Sequence, residues 1–322
     1  THWRNYFTRT IAHNAILVFD PEQEMELYGK PTANDGGQPF RREPVRLEDI
    51  RPGGYASLDG IIRFEDRPEF IYACGDATKA YDPERVKLAQ RDVVYLRAAD
   101  RAHPIIVVFD RVQSAKPEFE KRFLLHTVNE PVVDGRLCVT ENEGGRLSCV
   151  TLLPENAELR LVGGPGKEFW VNDQNYPPGR LSDKWKDVAG SWRLEVVPVE
   201  ENTLDYFLHV LLVDDADAPS VDPDSAVLVK GENCAGVQIA GWTVVFPLSS
   251  EGADSVEYTV GQPDARNHVV VALTPHNKIS YDVNGQAEGQ ATAGAGGCAM
   301  FQIDAEEGYR VAVSSIERRD SQ

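Results

Sequence analysis

Residues 104–128 read PIIVVFDRVQSAKPEFEKRFLLHTV. Two runs rich in Val, Ile, Leu and Phe, 104–112 and 119–127, are separated by a polar stretch containing Pro, and short apolar runs divided by turn formers are the mark of an antiparallel sheet. The pattern extends outward. Upstream, 11–19, 70–74 and 93–98 read as strands, and downstream 137–140, 146–153, 158–163, 191–198 and 206–213 do so, while helical periodicity is almost absent. Residues 195–197 and 208–212 are near-continuously apolar or mixed rather than alternating, which predicts strands covered on both faces, as at the centre of stacked sheets. The expected fold class is all-β, with a large two-layer antiparallel β-sandwich.

The acidic stretch DDADAPSVDPD, 214–224, has no apolar periodicity and marks a border near Pro219. Beyond it, short strands are expected at 226–230, 236–240, 243–247, 256–260, 268–274, 278–283, 299–303 and 310–314. The organisation predicted is a large sandwich over 1–218 and a smaller C-terminal β-sandwich domain over 219–322.

Length and composition narrow the function classes. The 322 residues are 42% hydrophobic, enough for packed cores. Lys and Arg total 33 against 51 Asp and Glu, a net charge of −18 and the wrong sign for holding a polyphosphate by charge alone, so no nucleic-acid partner is expected. The longest apolar runs fall far short of the roughly 20 residues that cross a bilayer, so no membrane partner is expected either. The N-terminus is polar and aromatic, without an initiator Met or a signal-type apolar stretch, and the chain is expected to be part of a longer protein. Five Cys lack CxxC spacing; Cys138 and Cys149 flank Gly144 and Gly145 of a hairpin and read as core thiols in preference to a bridge.

Chemistry-bearing motifs are few: there is no P-loop, HExxH, GxSxG or dinucleotide fingerprint. The exception is the N-terminus, THWRNYFTRTIAHNAILVFDPEQ, where His2, Arg4, Tyr6 and Arg9 precede an apolar run carrying His13 and Asn14, followed by Asp20 and Gln23. A His at the start of such a run also describes a hydrogen-bonded core residue. Trp185, Trp192 and Trp242 read as core, Asp110 and Arg111 as a cross-strand ion pair, and His126 as structural. The Gly- and Pro-rich loop 163–179, with Lys167, Trp170, Asn172, Asn175 and Tyr176, closes one edge of the sandwich or offers a sugar surface.

The segment RTIAHNAILVFDPEQ resembles the aHNtvlvdg..Q signature of the heparinase II/III-like polysaccharide lyases. NDGGQ at 34–38, VVFDRV at 107–112 and FLLH at 123–126 sit in the order such chains show. The resemblance covers most of residues 1–215 and is specific over the first forty. It implies that a helical toroid precedes the sheet part, in a periplasmic or secreted enzyme, and that the two together cleave an acidic polysaccharide by β-elimination. In such enzymes a Tyr or His removes the C5 proton of a uronic acid. The substrates implied are heparin, heparan sulfate, another glycosaminoglycan or alginate.

The family metal, usually zinc, is held by the second His of an HxH motif, an Asp of a following DxG turn and the His of the HN motif. Only the last maps here, onto His13. One imidazole cannot hold zinc tightly, since even catalytic sites keep three protein donors. The remaining ligands and the catalytic base are expected upstream of Thr1. Neutralising a sugar carboxylate while a base takes the neighbouring proton requires convergent cationic or amide donors, and the resemblance places His2, Arg4, Arg9 and Asn14, with Gln23, next to where the toroid would join. Trp3 and Tyr6 would stack a sugar or pack against that toroid. The other class is a non-catalytic carbohydrate-binding or structural β-sandwich module, and an HxH motif upstream separates the two.

Overall fold

Along Phe70–Asp76, the side chains of Phe70, Tyr72 and Cys74 are buried and the intervening ones half-buried. This two-residue period recurs through the chain and places successive side chains on opposite faces of a sheet. The computed structural model describes residues 1–40, 43–97, 101–179, 190–261 and 265–316; Trp185 lies outside them.

Four sheets stack. The first has the order Ile16–Phe19, Glu120–Thr127, Trp192–Val197, Glu158–Gly163. The second has eight strands, in the order Gly60–Asp66, Phe70–Asp76, Val86–Leu96, Ile105–Ser114, Leu204–Asp215, Gly145–Leu153, Leu137–Asn142, Val132–Asp134, with every neighbouring pair antiparallel. A third of five strands spans Val227–Lys230 to Ala299–Gln302 and contains one parallel pair, Trp242–Pro247 with Asn267–Val270. The fourth is formed by Ser255–Val260, Tyr309–Ser315, Lys278–Val283 and Gln286–Thr292. The all-β sandwich class read from the sequence is the class observed.

Three apolar layers lie between the four sheets. Val18, Phe123, Leu125, Leu194 and Val196 meet Val108, Val112 and Phe207 between the first and second. Phe70, Val94, Val107, Phe109, Leu208 and Val210 meet Val237, Val244, Phe246 and Val269 between the second and third. Tyr258, Ile279, Val311 and Val313 meet Val245, Val270 and Phe301 between the third and fourth. The eight-stranded sheet is therefore covered on both faces, which accounts for the near-continuous apolar run at 208–212, broken by the buried His209. Each fully buried Val, Leu or Phe contributes roughly 1.5–3 kcal/mol.

Polar side chains of the second sheet reach across to backbone groups beyond it. Arg111 Nε donates to the Pro247 carbonyl (3.1 Å), Arg63 Nη2 to Glu251 (2.7 Å), Arg67 Nη2 to Cys298 (2.9 Å) and Arg136 Nη2 to Pro223 (2.7 Å). The Glu65 carboxylate accepts the amides of Gly296 (3.0 Å) and Cys298 (3.1 Å).

Three expectations need correcting. Asp110 and Arg111 do not pair with each other, because neighbours on a strand point to opposite faces: Asp110 binds Arg91 toward the first sheet and Arg111 binds Asp92. The strand expected over 11–19 begins at Ile16, since Thr10–Ala12 winds into a 3-10 turn. Gly60–Asp66 is a strand that the sequence reading passed over. Cys138 and Cys149 face each other in register as buried thiols, and burial pushes the Cys138 thiol up to about 11.

Candidate functional site

The first nineteen residues form a knot. A π-helical turn, Trp3–Phe7, leads to the 3-10 turn Thr10–Ala12, then an extended link through His13 to the strand Ile16–Phe19. Arg9 is 2% exposed; its guanidinium binds the Asp35 carboxylate and lies over the Phe40 ring. Asp35 also accepts the amides of Ile11 (3.1 Å) and Gly37 (3.2 Å), and Thr10 Oγ1 accepts that of Gln38 (2.7 Å). A Cβ on Gly37 would stand 2.4 Å from Thr10 Cβ and 2.6 Å from Asp35 Oδ2, so only glycine permits this approach. Arg85 donates to Gln23 Oε1 and to the Gly37 carbonyl, and Gln23 Nε2 donates to Asp82 (2.7 Å). Arg9 and Gln23, expected as donors to sugar, are instead committed to holding this knot together.

His13 emerges exposed from the end of the 3-10 turn, its amide donating to the Thr10 carbonyl (3.0 Å). It is not on the strand. Asn14, also exposed, is anchored twice: its backbone carbonyl accepts from Arg91 Nη1 (2.8 Å), and its Oδ1 accepts from the His126 amide (2.8 Å) and ring Nδ1 (3.0 Å). Because an amide oxygen only accepts, the contact with Asn14 calls for a proton on Nδ1. Burial, followed by nearby Arg193, holds His126 neutral and pushes its pKa down to about 4; the proximity of His13 acts in the same direction. Sequence reasoning gave His126 only a structural part. Its strand-end position in FLLH was visible, but its partnership with Asn14, 112 residues away, was not.

His2 is half-buried, with Nδ1 donating to the Tyr176 carbonyl (2.7 Å) and the ring edge-on to Phe169 at 4.7 Å. Arg4 is also half-buried, and its Nε has no hydrogen-bond partner among the described residues. Trp3 and Phe7 are 51% and 61% exposed, whereas Tyr6 is buried against Leu17, Leu124 and Val171. Burial raises the Tyr6 phenol despite a hydrogen bond from Arg193. Loop 163–179 borders this aromatic group: Asn172 Nδ2 donates to the Asn34 carbonyl (2.6 Å), and Lys167 Nζ lies 5.2 Å from the Trp170 ring centre.

Cations on the outer face of the first sheet are matched by carboxylates. Arg193 binds Glu195 through Nε and Nη2, both at 2.7 Å, Arg122 binds Glu120 (2.5 Å), and Arg160 binds Glu120 (2.9 Å) and Glu158 (2.7 Å). Among the described residues, no three His, Cys, Asp or Glu side chains converge to hold a metal ion. His13 offers one imidazole, and the donor set on this chain does not fit a complete zinc site.

No family model and no curated protein matches the sequence. Among solved structures, the chain is similar to the heparan sulfate lyase HepC from Pedobacter heparinus, at 13% identity and a TM-score of 0.41, over 60% of this chain and 28% of that one. It is similar to a mutant of the same HepC at 13% identity and a TM-score of 0.39, over 70% and 36%, and to heparinase III at 13% and 0.38, over 57% and 26%. This chain spans about a quarter to a third of the length of those structures.

Proposed function

We propose that this chain is the β-sheet part of a polysaccharide lyase that cleaves a uronic-acid-containing glycan, a glycosaminoglycan or alginate, by β-elimination. The observation that carries the reading is the HN pair of the signature: His13 and Asn14 stand exposed at the end of a hydrogen-bonded turn, beside His126, and Trp3 and Phe7 of the preceding π-helical turn are open to solvent. Elimination needs a base at the C5 proton, neutralisation of the adjacent carboxylate and a proton for the leaving oxygen. From this chain, His13 and Asn14 supply an imidazole and an amide, and Arg4 a cation. The base lies outside the chain, upstream of Thr1 on an α-helical toroid, and a divalent metal at His13, zinc by resemblance, takes its other donors from there. A periplasmic or secreted place suits such a substrate.

The test compares the 322-residue chain with the longer protein that carries it, on heparan sulfate and alginate, following the ultraviolet absorbance of the unsaturated uronate. The chain alone is expected to release none and the longer protein to release it, with His13→Ala losing bound metal and activity together. Turnover by the chain alone, or equal metal occupancy in wild type and variant, overturns the assignment. A non-catalytic carbohydrate-binding module is the second reading, favoured by Lys167 over Trp170 on the 163–179 loop. It predicts glycan retention by the chain that Trp170→Ala abolishes.

A further inference from the structure

We infer that Asp35 is the positioning residue of the His13–Asn14 pair. The inference rests on the reading of that pair as the functional end of the chain, and its geometry is independent of what the pair binds. Asp35 has no exposed surface, yet three donors converge on its carboxylate: the Arg9 guanidinium, the Ile11 amide at 3.1 Å and the Gly37 amide at 3.2 Å. Ile11 is the middle residue of the turn that ends at His13. The turn is closed from both sides, Ala12 amide to Arg9 carbonyl at 3.1 Å and His13 amide to Thr10 carbonyl at 3.0 Å. Every residue from Arg9 to Ile11 thus has a bond into the 34–38 segment, counting Thr10 Oγ1 to the Gln38 amide.

On its far side His13 is followed at once by Asn14, which is fixed to Arg91 and His126. His13 is therefore suspended between two anchored points, and Asp35 supplies the one that precedes it. A carboxylate is required there because the donors include a cation: an amide in its place would turn an NH2 group toward the Ile11 amide, or toward both the Arg9 guanidinium and the Gly37 amide, and one or two of the three bonds would be lost.

The experiment uses the 322-residue chain labelled at histidine, recording imidazole resonances at one fixed pH for wild type, Asp35→Asn and Thr10→Val. His268, buried against Phe301 and Tyr309, and His276, exposed in the same half of the chain, serve as internal references. A positioning role predicts that both variants displace the His13 and His126 resonances and leave those of His268 and His276 in place, with Asp35→Glu falling nearer to wild type than Asp35→Asn. The proposal is overturned if all four stay unmoved, or if all four move together. It is equally overturned if Asp35→Asn fails to fold and the milder Thr10→Val leaves His13 and His126 where they were. Glycan cleavage plays no part in this readout, so a protein that cleaves nothing leaves the result standing, and an active enzyme with unmoved resonances refutes Asp35 alone.

Discussion

Arg9 and Asp35 are the clearest case in this chain of signature residues that build a site without touching what it binds. Each is almost wholly removed from water, so deleting one leaves the other as an uncompensated buried charge. Arg9→Ala is expected to destabilise the fold by about 3–5 kcal/mol, read as a drop in the urea midpoint. A shift of under a tenth of the wild-type midpoint would mean that solvent reaches Asp35. Buried histidines give a pH dependence. Burial pushes His209 down to about 3 and His268 to about 4, whereas an unfolded chain titrates them near 6.5. Between those values the unfolded state binds protons that the folded state does not. Their contribution is therefore complete above about pH 6.5 and is lost as pH falls, by up to about 1.4 kcal/mol per pH unit for each ring. Denaturation midpoints from pH 7 to 4.5 should decline, and less steeply in His209→Leu; parallel curves would contradict the assignment. At this scale the sequence was half legible. The HN pair stood out among the polar side chains of the N-terminus, and NDGGQ by the resemblance alone, but that Arg9 faces Asp35 and Asn14 faces His126 depends on chain reversals that no local pattern encodes.

At the scale of elements, apolar runs bounded by turn formers located most strands correctly because their side chains alternate or are doubly buried, as along 104–112 and 206–213. Of the strands that escaped, two did so for opposite reasons. Gln286–Thr292 lies at the edge of the fourth sheet with no buried side chain, so its residues, QAEGQAT, carry no apolar signal. Gly60–Asp66 carries Ile61, Ile62 and Phe64, all exposed, and its residues do not alternate with burial. It is an open edge of the eight-stranded sheet, and apolar edges invite pairing with another chain. Ile62→Lys combined with Phe64→Lys is expected to change stability by no more than about 0.5 kcal/mol while lowering self-association at high concentration, measured by light scattering. Unchanged scattering would show that this edge is not the adhesive one.

Across the whole molecule, the apolar layer between the second and third sheets belongs to both halves of the sequence. A chain ending at Ala218 would turn Phe70, Tyr72, Val94, Val107, Phe109, Val150, Leu208 and Val210 toward water and leave Arg111 and Glu65 without their partners across the layer. Residues 1–218 expressed alone are expected to be insoluble or to bind a hydrophobic dye strongly; a soluble, cooperatively melting product would show that the large sandwich stands by itself. The side chains that fasten the two halves end mainly on main-chain carbonyls, at Pro223, Pro247, Glu251 and Cys298. A carbonyl is supplied by whichever amino acid occupies the position. As far as these bonds go, then, the receiving positions could change identity over generations as long as the main-chain path is kept, while Arg63, Arg67, Arg111 and Arg136 have no such liberty. For these bonds substitution tolerance is one-sided, with the cost of change falling on the arginines.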